Sequence, residues 1–171
     1  MARTVGLLGL GIMGSAMTAN LLRAGWRVLG YDPVPSCRRR LARAGGAAAS
    51  SINQVADLAP ILISSLPSEK ALEAVSEEIP GGKARIVIET STLPIAAKEA
   101  ARRRLAAAGV TLLDCPLSGT GAQARAGDLA VYGSGPRIAY RKVVRVLKAF
   151  SRSQYFLGAF GNGSKMKFAA N

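Results

Sequence analysis

Short runs of consecutive apolar residues alternate along the chain with longer stretches in which apolar side chains recur at helical spacing. Val5 to Leu8, Val28 to Tyr31, Ile61 to Ser64, Ile86 to Ile88 and Val110 to Leu113 are of the first kind. Ala16 to Arg23, Ser36 to Ala44, Glu69 to Glu78 and Ile95 to Ala108, rich in Ala, Leu, Arg and Glu, are of the second. A strand covered on both faces shows no polar alternation, so this order predicts βαβ units: an α/β fold with a doubly wound, mainly parallel sheet and helices on both faces. A weaker strand, Asp128 to Gly133, a helix, Pro136 to Phe150, and a last strand, Gln154 to Leu157, are expected to complete that sheet. No repeat, linker or low-complexity segment divides residues 1–160, which read as one domain. Asn162-Gly163-Ser164 then opens a helical segment, Lys165 to Asn171, of about two turns, too few for a helix to be stable alone in water.

Between the first strand and the first helix stand residues 9–14, GLGIMG. A G-x-G-x-x-G turn in that context predicts a Rossmann-like dinucleotide site. Gly9 permits the tight turn, Gly11 lets the backbone approach a pyrophosphate and Gly14 lets the helix lie close to the sheet. With Leu10, Ile12 and Met13 they form the candidate cofactor cradle, where free amides at a helix start face the anion. Asp32 ends the second apolar run, 23 residues after Gly9, near the spacing at which a carboxylate meets ribose hydroxyls. A carboxylate there favours NAD over NADP. The alternative is a turn or helix-cap role for Asp32, and the Arg38-Arg39-Arg40 cluster keeps NADP open, since a guanidinium there would neutralise a 2'-phosphate.

Composition narrows the picture. A chain of 171 residues, 49% hydrophobic, can bury a sizeable core. The sequence holds no uninterrupted apolar stretch of membrane-spanning length and no signal-peptide pattern at its start, so a cytoplasmic protein without membrane contact is expected. Two cysteines, Cys37 and Cys115, and no histidine leave no disulfide framework and no zinc pattern; no bound metal is expected. The formal net charge of +13 would attract polyanions. Its arginines, however, fall in separate helices (Arg38 to Arg40, Arg102 to Arg104, and Arg137, Arg141, Arg145) without interleaved aromatics, which argues for solvated helix faces and against nucleic acid.

Further stretches carry a resemblance. Ile63-Ser64-Ser65-Leu66-Pro67-Ser68, Glu89-Thr90-Ser91-Thr92, Asp114-Cys115-Pro116-Leu117-Ser118-Gly119-Thr120-Gly121-Ala122 and Gly161-Asn162-Gly163-Ser164-Lys165-Met166-Lys167-Phe168-Ala169-Ala170-Asn171 follow GLGIMG in order. Together they resemble the β-hydroxyacid dehydrogenases, the group that includes 3-hydroxyisobutyrate dehydrogenase. The resemblance implies an oxidoreductase moving hydride between a small anionic 3-hydroxy acid, or its semialdehyde, and NAD. It makes Leu66, Pro67 and Thr92 cofactor contacts, although Leu66-Pro67 also reads as a plain turn and Ser91-Thr92 as a helix cap. It makes Ser118 and the amide of Gly119 the grip on the substrate carboxylate, with Thr120 beside them; a Gly-rich surface loop is the plainer reading. Thr120 stands where the family commonly has a second glycine, and Gln123 replaces another frequent glycine, so the substrate pocket is reshaped.

By the same resemblance Lys167 is the general acid/base and Asn171 orients the substrate. A spacing of four puts the two on one helix face. Oxidising an alcohol requires a base within reach of its hydroxyl, and with no histidine in the chain a lysine fits the task. The positive charge of an oxidised nicotinamide favours the neutral amine, and its loss favours the ammonium. Family members continue into a helical domain that closes the pocket and builds a dimer, so residues 161–171 read as the start of an interdomain helix cut short, and a homo-oligomer is expected of the parent. Two other readings stand beside this one. One is an imine reductase, which the presence of Lys167 disfavours. The other is a non-catalytic dinucleotide-sensing or nucleic-acid-binding module on the same fold.

Overall fold

The computed structural model describes residues 3–79 and 81–171. Strand β1 (Thr4–Leu8) leads through the glycine turn into α1 (Ile12–Arg23), followed by β2 (Arg27–Tyr31), α2 (Pro35–Arg43), β3 (Ala47–Ala48), α3 (Ile52–Leu58) and β4 (Ile61–Ser64). Then come α4 (Glu69–Glu78), β5 (Ile86–Glu89), α5 (Ile95–Ala107), β6 (Thr111–Asp114), β7 (Leu117–Ser118) and α6 (Gly121–Arg125). The chain closes with β8 (Leu129–Gly133), α7 (Arg137–Phe150), β9 (Ser151–Phe156) and α8 (Asn162–Ala170).

Six strands form one parallel sheet in the order β3-β2-β1-β4-β5-β6. Successive strand residues bury on opposite faces. Leu7, Ile63, Ile88 and Leu113 join α1 and α7 in one core; Leu8, Leu62, Val87 and Leu112 join α3, α4 and α5 in the other. This two-sided burial is why the strands read as unbroken apolar runs. Among the described residues no helix is long and apolar enough to cross a membrane.

The expectation that the two late strands complete this sheet is corrected. β8 and β9 belong to a second, three-stranded sheet in the order β7-β8-β9. The physical reason is strand valence: β8 pairs antiparallel with β7 on one edge and parallel with β9 on the other. β8 thus keeps no edge for β6 and carries β9 with it into the second sheet, and the bridge between Asp114 and Ser134 links the two sheets. Four short elements, β3, α3, β7 and α6, go beyond the sequence reading. α1 starts four residues earlier than expected because the helix begins directly behind Gly11. α8 ends at Ala170, leaving Asn171 at its C-cap.

Candidate functional site

The strand order reverses at β1, whose neighbours are β2 and β4. In an open α/β sheet such a reversal opens a crevice at the carboxyl ends of the strands, and the predicted cofactor residues lie there. Gly9, at φ 98°, donates its amide to the Tyr31 carbonyl at 3.0 Å, and a Cβ there would strike the Ser65 carbonyl. A Cβ on Gly14 would strike the Gly9 carbonyl, whereas one on Gly11 would meet nothing within 4 Å. The turn is thus packed from behind and open in front. The N-cap of α1, Gly11, offers no side-chain cap, and no acidic residue occupies its first turn. An anion fits this helix end, because its first backbone donors have no partner within the helix and its dipole favours negative charge.

Asp32 is clamped in the same crevice. Its Oδ2 accepts the Leu10 amide at 2.8 Å, and its Oδ1 accepts the Val34 amide at 2.9 Å. The carboxylate therefore joins the glycine turn to the start of α2, combining the turn role with a position beside the cradle. Arg38 donates to the Asp32 carbonyl at 2.6 Å, and its guanidinium lies 5.7 Å from the Tyr31 ring centroid; Arg39 and Arg40 are exposed. Ser91 Oγ accepts the Leu66 amide at 2.8 Å, while α5 takes Pro94 as N-cap without a side-chain cap. The helix-cap reading of Ser91-Thr92 is thereby set aside, and Thr92 stands exposed at the crevice edge.

The candidate substrate stretch lies next to the cradle. Ser118, half-buried, ends β7, and Thr120 caps α6. The side chain of Thr120 accepts the Gln123 amide at 3.2 Å, and the Gln123 carboxamide accepts the Thr120 amide at 2.7 Å. The two departures from the family pattern are one device, a capping box, and it engages the Thr120 amide. Ile12, 74% exposed, points its Cγ2 to within 3.3 Å of where a Cβ on Gly121 would sit. Asn20, buried in α1, donates to the Ala16 carbonyl at 3.1 Å and to the Ala124 carbonyl of α6 at 2.7 Å, tying α1 to α6.

Beneath the crevice runs a buried polar row. Ser64, Glu89 and Asp114 occupy one register at the ends of β4, β5 and β6. Glu89 accepts from the Ser64 hydroxyl and the Ser91 amide. Lys98 of α5 donates to the Ser91 carbonyl at 2.6 Å and to Asp114 Oδ1 at 2.9 Å, with Glu89 at 4.0 Å. Burial, and then the neighbouring Asp114 carboxylate, push the Cys115 thiol far above its ordinary range.

α8 sits on this row, with Gly163 and Ser164 buried against the ends of β6 and β8. Lys167, one turn on, is half-buried; Lys165 and Asn171 are exposed. Of the groups that hold the site together, Asn20 and Lys98 escaped the sequence reading, and Ser164 was read only as part of the helix start, without its bonds to Asp114. Thr120 and Gln123 carried a legible signal, T-x-x-Q, the spacing of a capping box.

Comparison with known proteins places this geometry. Residues 4–158 match the family described as the NAD binding domain of 6-phosphogluconate dehydrogenase. L-threonate dehydrogenase of Cupriavidus necator is 36% identical over 173 residues, covering 98% of this chain and 58% of the relative. 3-Hydroxyisobutyrate dehydrogenase of Pseudomonas aeruginosa is also 36% identical, over 175 residues, with the same coverage of 98% and 58%. The solved structure of Mycobacterium tuberculosis 3-hydroxyisobutyrate dehydrogenase with L-serine superposes with a TM-score of 0.94 at 29% identity, covering 99% of this chain and 59% of that one. The chain thus spans under two thirds of the length of these proteins.

Proposed function

The chain belongs to the family of NAD-binding domains typified by that of 6-phosphogluconate dehydrogenase, and on that premise we propose that it is the cofactor domain of an oxidoreductase acting on a small 3-hydroxy acid or its semialdehyde. Gly9 to Gly14 and the amides opening α1 hold the pyrophosphate, Asp32 takes the ribose hydroxyls, and Leu66, Pro67 and Thr92 line the crevice. NAD, when bound, supplies the hydride acceptor. Ser118 Oγ and the Gly119 amide hold the substrate carboxylate; because the Thr120 amide is engaged by Gln123, the grip relies on those two donors. Lys167 Nζ takes the proton from the substrate hydroxyl during oxidation and returns it during reduction, while Asn171 orients the substrate. The observation that carries this reading is the seating of α8 on the ends of β6 and β8, at the sheet edge that also bears the glycine turn.

Residues 161–171 are, on this reading, the start of an interdomain helix, and the whole protein is a cytoplasmic homo-oligomer whose remaining part closes the pocket. The basic surface serves an anionic cofactor and substrate rather than nucleic acid: Arg102 is paired with Glu99 at 2.8 Å, and Arg104 lies 4.0 Å from both Glu73 and Glu77. The test has two arms. NADH is expected to bind, and duplex DNA is not, in separate titrations at physiological salt. In the whole protein, NAD-linked oxidation of L-threonate, 3-hydroxyisobutyrate and L-serine is compared with that of Lys167→Ala. A loss of about a hundredfold or more in kcat is expected, as for removal of a general base; an unchanged rate refutes the assignment.

A further inference from the structure

Lys98 heads the large side chains that this fold buries completely. It lies on the inward face of α5 with Ala101 and Leu105, at a position where an apolar residue would serve packing as well. Burying a charged pair is a poor route to stability, since apolar side chains of similar volume often do no worse. What an apolar pair does not do is accept hydrogen bonds, and Asp114 accepts several. Besides Lys98 Nζ, its carboxylate receives the Ser164 amide at 2.8 Å, the Ser164 hydroxyl at 2.7 Å and the Ser134 hydroxyl at 3.3 Å. Ser134 Oγ in turn accepts the Gly163 amide at 3.0 Å.

These amides belong to the first turn of α8, whose own N-cap, Gly161, supplies no side-chain bond. The helix is therefore capped in trans, by a carboxylate on β6 and a hydroxyl just past β8. A Cβ on Gly163 would strike the Tyr132 and Asp114 carbonyls, so α8 is pressed against backbone at this point and sits at one depth. Its rotation is fixed by Ser164. Residues three apart share a helix face, so holding Ser164 inward turns Lys167 toward the domain, while a rotation by one residue, about 100°, would present Met166 or Phe168 in its place.

We propose that Asp114, held by Lys98, is a positioning residue: through Ser134 and Ser164 it sets the depth and rotation of α8 and so aims Lys167 at the crevice. The proposal rests on the reading of Lys167 as the acid/base, and its test keeps the two apart. Ser134→Ala/Ser164→Ala leaves the Lys98–Asp114 pair intact, so no buried charge loses its ionic partner; Asp114→Asn is the stronger second variant. Hydrogen exchange of the α8 amides, and acetylation of Lys167 relative to Lys165 with and without saturating NADH, are followed by mass spectrometry. Loosening of α8 is expected to speed its exchange about tenfold in both variants, with α1 and α7 unchanged. NADH is expected to shield Lys167 but not Lys165 in the unaltered chain and to lose that effect in the variants, with NADH affinity held within about twofold, a shift of under 0.5 kcal/mol. Unchanged α8 exchange, shielding that persists, or affinity that falls in step with shielding overturns the positioning role. Absence of shielding in the unaltered chain overturns the Lys167 assignment instead, leaving the exchange data to judge the anchor.

Discussion

At the scale of single residues, each oxygen of the Asp32 carboxylate already accepts a backbone amide, and each retains a lone pair for a further donor. Asp32→Asn keeps the size but halves the accepting capacity and removes the charge. NADH affinity is expected to fall about tenfold, or 1.4 kcal/mol, and the preference for NADH over NADPH to shrink, both read by fluorescence titration. At Gly14 the obstacle is steric. Gly14→Ala drives a methyl into the Gly9 carbonyl, and a destabilisation of about 1–3 kcal/mol with loss of NADH binding is expected, the range for overpacking. Both positions were legible because the chemistry fixes residue type and spacing together. Lys98 was not: within a run of Ala, Arg and Glu it looks like any solvated lysine. Its partners, the Ser91 carbonyl just ahead of the helix and Asp114 at the end of the next strand, come to it only when the chain folds.

At the scale of elements, long strands and helices could be read from period alone, and short ones could not. β3 is two residues in an alanine run and carries no pattern. α3 did carry one, since Ser51 caps it by accepting the Gln54 amide and Ile52, Val55 and Ala56 are buried at helical spacing. The error over β8 and β9 has another source: apolar runs reveal that strands are buried, but which strands pair depends on the edges left open. α6 shows how a family departure acquires meaning. Thr120 and Gln123 read separately as two losses of glycine, yet they form one reciprocal cap on a helix of five residues. Gln123→Ala should cost about 1 kcal/mol, lowering Tm by roughly 2–4 °C for a domain of this size, and it frees the Thr120 amide. A thermal melt checks the first effect. An unchanged Tm would mean that the cap carries no net energy.

At the scale of the whole molecule, the joint between the two sheets governs the response to alkali. Cys115, fully buried beside Asp114, holds its proton far more tightly than a free thiol. Burial, and then Cys115 itself, push Tyr140 up to about 12 from an ordinary 10.0. Both groups bind protons more strongly folded than unfolded, so their contribution is complete below pH 9.0, the ordinary thiol value, and declines above it. Cys115 alone accounts for about 1.4 kcal/mol per pH unit in that range. Thermal melts across the alkaline range should show Tm falling from near pH 9, with Cys115→Ala flattening the first part of the fall. An equal slope in that variant would assign the loss to other groups.

The two-sided sheet has one more consequence. Leu7 and Leu8 are consecutive, yet they belong to opposite cores, and Gly9 follows at once. The glycine turn is therefore locked to the odd–even parity of β1. Deleting any single residue between Thr4 and Leu8 would either put part of β1 on the wrong faces of the sheet or turn the loop over, so a one-residue change of length in this strand cannot alter cofactor affinity while leaving the fold intact.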